Sequence, residues 1–163
     1  MQQVDTSLES LLGIKHPLIM APMFLVSNTA MTIAGMKHGV AGCIPALNYR
    51  TTEELKNAIR EMKEAKPEGG SFGINLIVNK SNFKYKEQLD VCCEEGVDFI
   101  ITSLGSPRHT ISKAKPKGIK VFCDVVGAEH AHKVEELGAD AVIAVNNQAG
   151  GHRGGQDPIS LIQ

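Results

Sequence analysis

The segment at positions 149–155, AGGHRGG, carries the residues of this chain best suited to chemistry. Its glycines let the backbone approach a ligand closely, and they flank His152 and Arg153. An imidazole can take or hold a proton near neutral pH, and a guanidinium offers a permanent positive charge to an anion. The alternative is a flexible surface turn in which His152 is merely solvated. The pair of polar side chains among glycines favours a functional loop.

Asn75 stands within an apolar run at positions 72–77. A buried amide that lacks a partner costs about 1–3 kcal/mol, so both its donor and its acceptor need partners. A bound heterocycle would supply them, or Asn75 would tie down a neighbouring loop. Asp124 ends another apolar run and has two similar interpretations, catalysis or a hydrogen bond to a loop. Met23, taken alone, is more typical of core packing than of cofactor contact.

Six apolar runs lack the alternation of polar residues that a half-exposed strand shows. They therefore predict six strands that are buried on both faces and that position these residues. The predicted strands occupy positions 17–20, 40–44, 72–77, 98–102, 119–123 and 140–145. Amphipathic segments between them predict helices from Thr51 onward, over 84–95 and over 128–137. Gly138 is a natural glycine to end the last of these helices.

The predicted strands begin about 25 residues apart, a repeat short enough for a TIM barrel. A Rossmann sheet is disfavoured, because APMFLVSN follows the first strand where that fold carries GxGxxG. We predict an α/β fold, a (β/α)8 TIM barrel with about six of its eight β/α units present, in one domain over residues 1–163. Eight units need about 200 residues. We therefore expect the chain to belong to a longer protein, unless something else closes the barrel.

Composition excludes several classes of function. The formal charge of −1 argues against nucleic-acid and anionic-membrane partners. No metal-ligand spacing, nucleophile elbow or phosphate-binding P-loop is present in the sequence. Positions 1–17 do not resemble a signal peptide, and no apolar run approaches the length of a membrane span, so the expected location is the cytoplasm. The cysteines are interpreted as reduced core thiols: Cys43, Cys92, Cys93 and Cys123.

With these residues identified, the sequence resembles the nitronate monooxygenase family, formerly called 2-nitropropane dioxygenase. The resemblance covers nearly the whole chain, and QAGGHRG after the sixth predicted strand is its most specific motif. The other motifs are PLIMAPM, FGINL, LGSP, GIKVFCDVVG and GADAVIA.

The resemblance implies an FMN-dependent TIM barrel that oxidises alkyl nitronates with dioxygen. His152 resembles the catalytic histidine beside the flavin, Asn75 the amide that binds the flavin ring, and Phe24 and Arg153 are expected near the substrate. The cofactor-binding residues that it implies are Ala21, Pro22, Met23, Asn75, Asp124, Gln148, Gly150 and Gly151. The glycine loops that hold the phosphate in this family follow strands seven and eight.

Two other functions stay open at this point. A flavin-dependent enoyl-acyl-carrier-protein reductase using NAD(P)H shares the barrel and the AGGH core, although Arg153 favours the nitronate enzymes. A non-catalytic, flavin-free barrel fragment is the second alternative. The expected partners are a nitronate or nitroalkane and dioxygen, without nucleic acid, membrane or metal, and a homo-oligomer is left open.

Overall fold

A computed structural model describes residues 7–163, and within them six parallel strands form one sheet in the order β1-β2-β3-β4-β5-β6. The strands are β1 (Ile19–Met20), β2 (Ala41–Pro45), β3 (Phe72–Ile77), β4 (Phe99–Ser103), β5 (Lys120–Val125) and β6 (Ala141–Ala144). The helices are α1 (Leu8–Leu12), α2 (Thr29–Lys37), α3 (Thr52–Glu64), α4 (Tyr85–Glu95), α5 (Arg108–Ala114), α6 (Ala128–Glu136) and α7 (Pro158–Ile162). Because every strand pairs with its sequence neighbours, the chain is a partial TIM barrel made of six β/α units.

Two apolar layers lie on opposite faces of this sheet. The inner layer would fill the barrel, and its buried members are Ile14, Ala41, Cys43, Phe99, Ile101 and Phe122. The outer layer joins the sheet to the helices, with Ile74 and Leu76 of β3 and Leu55, Ile59 and Met62 of α3 among its fully buried side chains. Alternating residues of one strand enter different layers, as the pleat requires.

Gly73 makes room for the inner layer. A Cβ atom at this position would lie 2.4 Å from two ring carbons of Phe99. The Phe99 ring stacks on Phe122 with centroids 5.3 Å apart. The glycine of the FGIN segment is therefore required by packing in the barrel interior.

Helix α3 begins where the sequence predicts it. Thr51 Oγ1 accepts the backbone N–H of Glu54 at 3.1 Å, and Glu54 Oε2 accepts the backbone N–H of Thr51 at 3.2 Å. This reciprocal capping box satisfies donors that the first helical turn leaves open. The predicted helices over 84–95 and 128–137 are confirmed as α4 and α6, with their ends shifted by one residue.

Two predictions about the strands need correction. Strand β1 does not begin at Pro17, because proline has no N–H and Leu18 donates its own to His16 within a turn. Strand β6 is not buried on both faces: Val142 is 46% exposed, since β6 is an edge of the described sheet. Helices α1, α2 and α5 are additions to the predicted helices.

Helix α2 has no stripe of large apolar residues that would predict it, because small residues form its contact with the sheet. A Cβ on Gly42 of β2 would lie 2.7 Å from Thr32 Cγ2, and one on Gly35 would lie 2.5 Å from Met20 Cε. The helix therefore approaches the sheet through glycines. Its start is nevertheless readable, since Asn28 caps it by accepting the N–H of Met31 at 2.9 Å.

The prediction of reduced core thiols is confirmed, because all four cysteines are free and buried. No helix in residues 7–163 has the length and apolar character to cross a bilayer. Positions 1–6, which belong to the predicted domain and to the segment searched for a signal peptide, lie outside the described residues.

Candidate functional site

Three polar side chains stand on adjacent strands at the carboxyl end of the barrel interior. Asn75 of β3 is paired in register with Ile101 of β4, which belongs to the inner layer. Ser103 lies two residues beyond Ile101, and Asp124 lies two residues beyond Phe122, another inner-layer residue. Since side chains two apart share one face of a strand, all three point toward the barrel interior.

These side chains form one continuous hydrogen-bonded chain. Asn75 Nδ2 donates to the carbonyl oxygen of Ile101 at 3.2 Å and to Ser103 Oγ at 2.8 Å. Ser103 Oγ donates in turn to Asp124 Oδ2 at 2.5 Å. Both amide protons of Asn75 are therefore engaged. No described residue donates a hydrogen bond to its carbonyl oxygen Oδ1. This oxygen is not one of the fully buried side-chain atoms that lack a hydrogen-bond partner.

Asp124 is partly buried, and burial is the largest influence on the pKa of its carboxyl group. Burial raises the pKa of its carboxyl group, whereas the hydrogen bond from Ser103 and the charge of His152 oppose that rise. Asp124 lies at the carboxyl end of β5, and His152 lies in the loop that follows the carboxyl end of the neighbouring strand β6. The structure thus brings Asn75, Asp124 and His152 to the same end of the sheet.

The loop after β6 closes on itself and presents its polar side chains to solvent. Asn147 N donates to Gln156 O at 2.8 Å, and Gly154 N donates to Asn146 O at 3.1 Å. Gly151 has φ 74°, a left-handed conformation that glycine adopts without strain. His152 and Arg153, at the tip between these anchors, are exposed. The loop is therefore pinned at its base and open at its tip.

The loop after β1 brings an apolar surface to the same end of the sheet. Ser27 Oγ donates to Ala21 O at 3.1 Å and accepts the N–H of Met23 at 2.9 Å. Asn48, which follows β2, donates Nδ2 to Ser27 O at 2.9 Å. These bonds hold the loop in a shape that leaves Phe24 61% exposed.

The remaining predicted positions are also at loops of this end. Met23 is 39% exposed and so is not a core residue. Ala21 is exposed and Pro22 is partly buried beside it. Gln148 and Gly150 are exposed, and the backbone N–H of Gln148 donates to Asn146 Oδ1 at 2.8 Å.

Three residues of this arrangement were missed as site candidates: Ser27, Asn48 and Ser103. Ser103 links Asn75 to Asp124, and the other two shape the loop after β1. The sequence held a signal for Ser103, because a residue two positions after Ile101 on the same strand must lie on the same face as Ile101. Asn48 gave no comparable local signal, because its partner Leu25 lies 23 positions earlier. No group of three or more metal-binding side chains suited to an ion occurs in the described part of the chain.

Comparisons with known proteins identify relatives of this chain. The chain is 30% identical over 156 residues to a (3aS,4S,5R,7aS)-5-hydroxy-7a-methyl-1-oxo-octahydro-1H-indene-4-carboxyl-CoA dehydrogenase of Rhodococcus jostii, covering 94% of this chain and 42% of that protein. It is 30% identical to the nitronate monooxygenase of Pseudomonas aeruginosa, covering 91% of this chain and 52% of that one. The chain thus spans about half the length of the curated relatives it matches.

A solved structure shows the same architecture at full length. FabK from Thermotoga maritima superposes with a TM-score of 0.88 at 31% identity, covering 98% of this chain and 50% of that one. The family model for nitronate monooxygenase matches residues 81–162, a span that includes Ser103, Asp124 and the loop of His152. With half of its residues matched by that model, this chain belongs to the nitronate monooxygenase family.

Proposed function

We propose that this chain carries the flavin-facing half of an FMN-dependent oxidoreductase that oxidises alkyl nitronates with dioxygen. The observation that carries the proposal is that the hydrogen-bonded chain from Asn75 through Ser103 to Asp124 and the glycine loop of His152 lie at the same carboxyl end of a partial TIM barrel. Active sites of this fold lie at that end. Membership of the nitronate monooxygenase family supports the same assignment.

The residues present fit a flavin ring. Asn75 Oδ1 is an amide oxygen without a partner among the described residues, and it can accept a hydrogen bond from a heterocyclic N–H. Met23 and Phe24 offer exposed apolar surface on the loop after β1. The cofactor-binding set proposed is Ala21, Pro22, Met23, Asn75, Gln148, Gly150 and Gly151, with Asp124 acting behind Asn75. These residues would hold FMN, which would supply the electron transfer from the substrate to dioxygen.

In this proposal His152 is the residue that removes or shares a proton of the substrate. Its imidazole takes the proton from the carbon next to the nitro group of a neutral nitroalkane, or donates a hydrogen bond to a nitronate that is already ionised. Arg153 is exposed beside it and attracts the anionic substrate. Phe24 bounds the apolar side of the substrate space.

The test compares nitroalkane with the corresponding nitronate. In His152→Ala, we expect kcat/KM for the nitroalkane to fall by roughly 10²–10⁴, the usual contribution of a positioned base. The nitronate needs no proton removal, so its turnover should fall less. His130→Ala, an exposed histidine on α6, is the matched control and should behave as wild type. Equal nitroalkane turnover in the His152 and His130 variants would remove His152 from the mechanism.

The likeness to FabK supports a second candidate, the flavin-dependent enoyl-acyl-carrier-protein reductase using NAD(P)H. The Rhodococcus relative is named a carboxyl-CoA dehydrogenase, so it too acts on an acyl group attached to a carrier. Anaerobic mixing with NADPH separates the two functions, because only the reductase bleaches the flavin absorbance and then turns over an enoyl thioester. Oxygen uptake with nitronate and no response to NADPH would support the first proposal.

A further inference from the structure

The chain of hydrogen bonds from Asn75 to Asp124 has a single direction. Asn75 Nδ2 donates to Ser103 Oγ, and Ser103 Oγ donates to Asp124 Oδ2, at 2.8 and 2.5 Å. An ionised carboxylate only accepts, so it determines the direction of the hydroxyl proton. The hydroxyl then offers a lone pair to the amide N–H. Each donor in the chain points toward Asp124.

We propose that Asp124 and Ser103 are positioning residues that hold Asn75 as a hydrogen-bond acceptor toward the flavin ring, so that Asn75 binds the cofactor and not the nitronate. This inference rests on the proposed function for its ligand. It assigns to Asp124 a role through Ser103 and Asn75 in place of direct contact with the cofactor.

Rotation of the Asn75 amide is opposed by two neighbours. A turned amide would place Oδ1 against the carbonyl oxygen of Ile101 and against the Ser103 oxygen, where two hydrogen bonds stand in the structure. Two such bonds would be lost, and two acceptors would face each other. The amide oxygen therefore stays directed away from β4.

The fixed orientation selects the chemistry of the ligand. The isoalloxazine ring of a flavin carries an imide N–H, which donates to an amide oxygen. A nitronate is an anion whose oxygens only accept, so Asn75 Oδ1 and the carboxylate behind it would repel it. Selection by donor and acceptor thus keeps the substrate at the side of His152 and Arg153.

The orientation depends on the ionised form of Asp124. The charge of His152, from the loop after β6, lowers the pKa of this carboxyl group, and the carboxyl group in turn raises the pKa of its neighbours Cys43 of β2 and Cys123 of β5. Burial raises the pKa of both thiols, so they are neutral neighbours at neutral pH. As the pH falls through the pKa of Asp124, which burial raises, the carboxyl group gains a proton and becomes a donor to Ser103. The hydroxyl proton is then free, and the single direction of the chain is lost.

FMN binding as a function of pH tests the inference. By flavin fluorescence, wild type should bind FMN with a constant Kd at neutral pH and more weakly as Asp124 is protonated. Ser103→Ala should raise Kd about tenfold, the loss expected for a hydrogen bond to a charged group. Asp124→Asn should bind without the pH dependence. Ser106→Ala, an exposed serine in the loop after β4, is the matched control. Equal Kd for Ser103→Ala and Ser106→Ala, or a wild-type pH profile in Asp124→Asn, would overturn the inference while leaving the proposed function intact.

A second measurement needs no flavin. The pKa of Asp124, followed by carboxyl carbon NMR, should rise in Ser103→Ala because the hydroxyl that stabilises the carboxylate is gone. It should also rise in Asn75→Ala if the three side chains act as one chain. No response to Asn75→Ala would overturn the inference. If wild type binds no FMN at any pH, the proposed function fails, and the titration alone decides the inference about the chain.

Discussion

Asn48 Oδ1 accepts the backbone N–H of Leu25 at 2.9 Å and holds that leucine in a left-handed conformation with φ 59°. Leu25 is 73% exposed, so burial of its side chain contributes little free energy to offset the strained backbone. The loop after β1 is thus kept in a strained shape by a residue that follows β2. A strained residue at the active-site end of a barrel marks a shape that the surrounding contacts impose.

Replacing Leu25 should relieve this strain. A left-handed conformation costs an L-residue about 1–2 kcal/mol, and glycine adopts it freely. We expect Leu25→Gly to exceed Leu25→Ala in free energy of unfolding by about 1 kcal/mol, because alanine keeps the Cβ atom that creates the strain. Urea denaturation of the two variants measures the difference. A more stable alanine variant would contradict the strained conformation.

Gly73→Ala should be strongly destabilising. The new methyl group would overlap the Phe99 ring, whose nearest carbons lie 2.4 Å from the Cβ position, and overpacking of a core costs about 1–3 kcal/mol. Gly155→Ala is the control, since a Cβ there meets nothing within 4 Å. Thermal unfolding of both variants measures the cost. Adding Phe99→Leu to Gly73→Ala should restore part of the loss, and an additive double variant would contradict direct overlap.

Asp124 should make stability depend on pH with a definite sign. Its pKa is raised in the folded protein by burial, so the folded state favours the protonated form. The stabilisation from this group is fully present below the unfolded pKa of about 3.9 and is lost as the pH rises through the folded value. Asp124→Asn keeps an acceptor for Ser103. It should therefore be more stable than wild type only at pH values above the folded pKa of Asp124. Denaturation at pH 3.5 and pH 7.5 checks the sign, and a gain that is larger at pH 3.5 would be inconsistent with it.

The cysteines should be unreactive in the native protein. All four are buried, and burial raises the pKa of Cys43 and Cys92 well above the ordinary thiol range. Because the thiolate is the reactive form, a disulfide reagent at pH 8 should modify them no faster than the protein opens. In denaturant all four should react at once. Rapid modification of a native thiol would indicate an accessible cysteine and reopen a redox role.

The sequence alone determined the approximate positions of the six strands and the loop that carries His152. Contiguous apolar runs such as 72–77 must be buried on both faces, and short repeats of strand and helix favour a barrel. The glycine-flanked His–Arg pair is likewise a local pattern, and so is the capping box of α3. Helices α1, α2 and α5 were not predicted in this way, and the packing of α2 depends on Gly42 of another element.

Only the tertiary structure decided how the site residues are joined. Asn75 meets Ser103 across 28 positions of sequence, and Ser103 meets Asp124 across 21. Both contacts depend on the register between neighbouring strands, which no single segment encodes. The sequence left open whether Asn75 serves a ligand or a neighbouring loop. In the structure its amide protons bind Ile101 and Ser103 of β4, because strand register places both beside the amide, and no described residue donates a hydrogen bond to its oxygen.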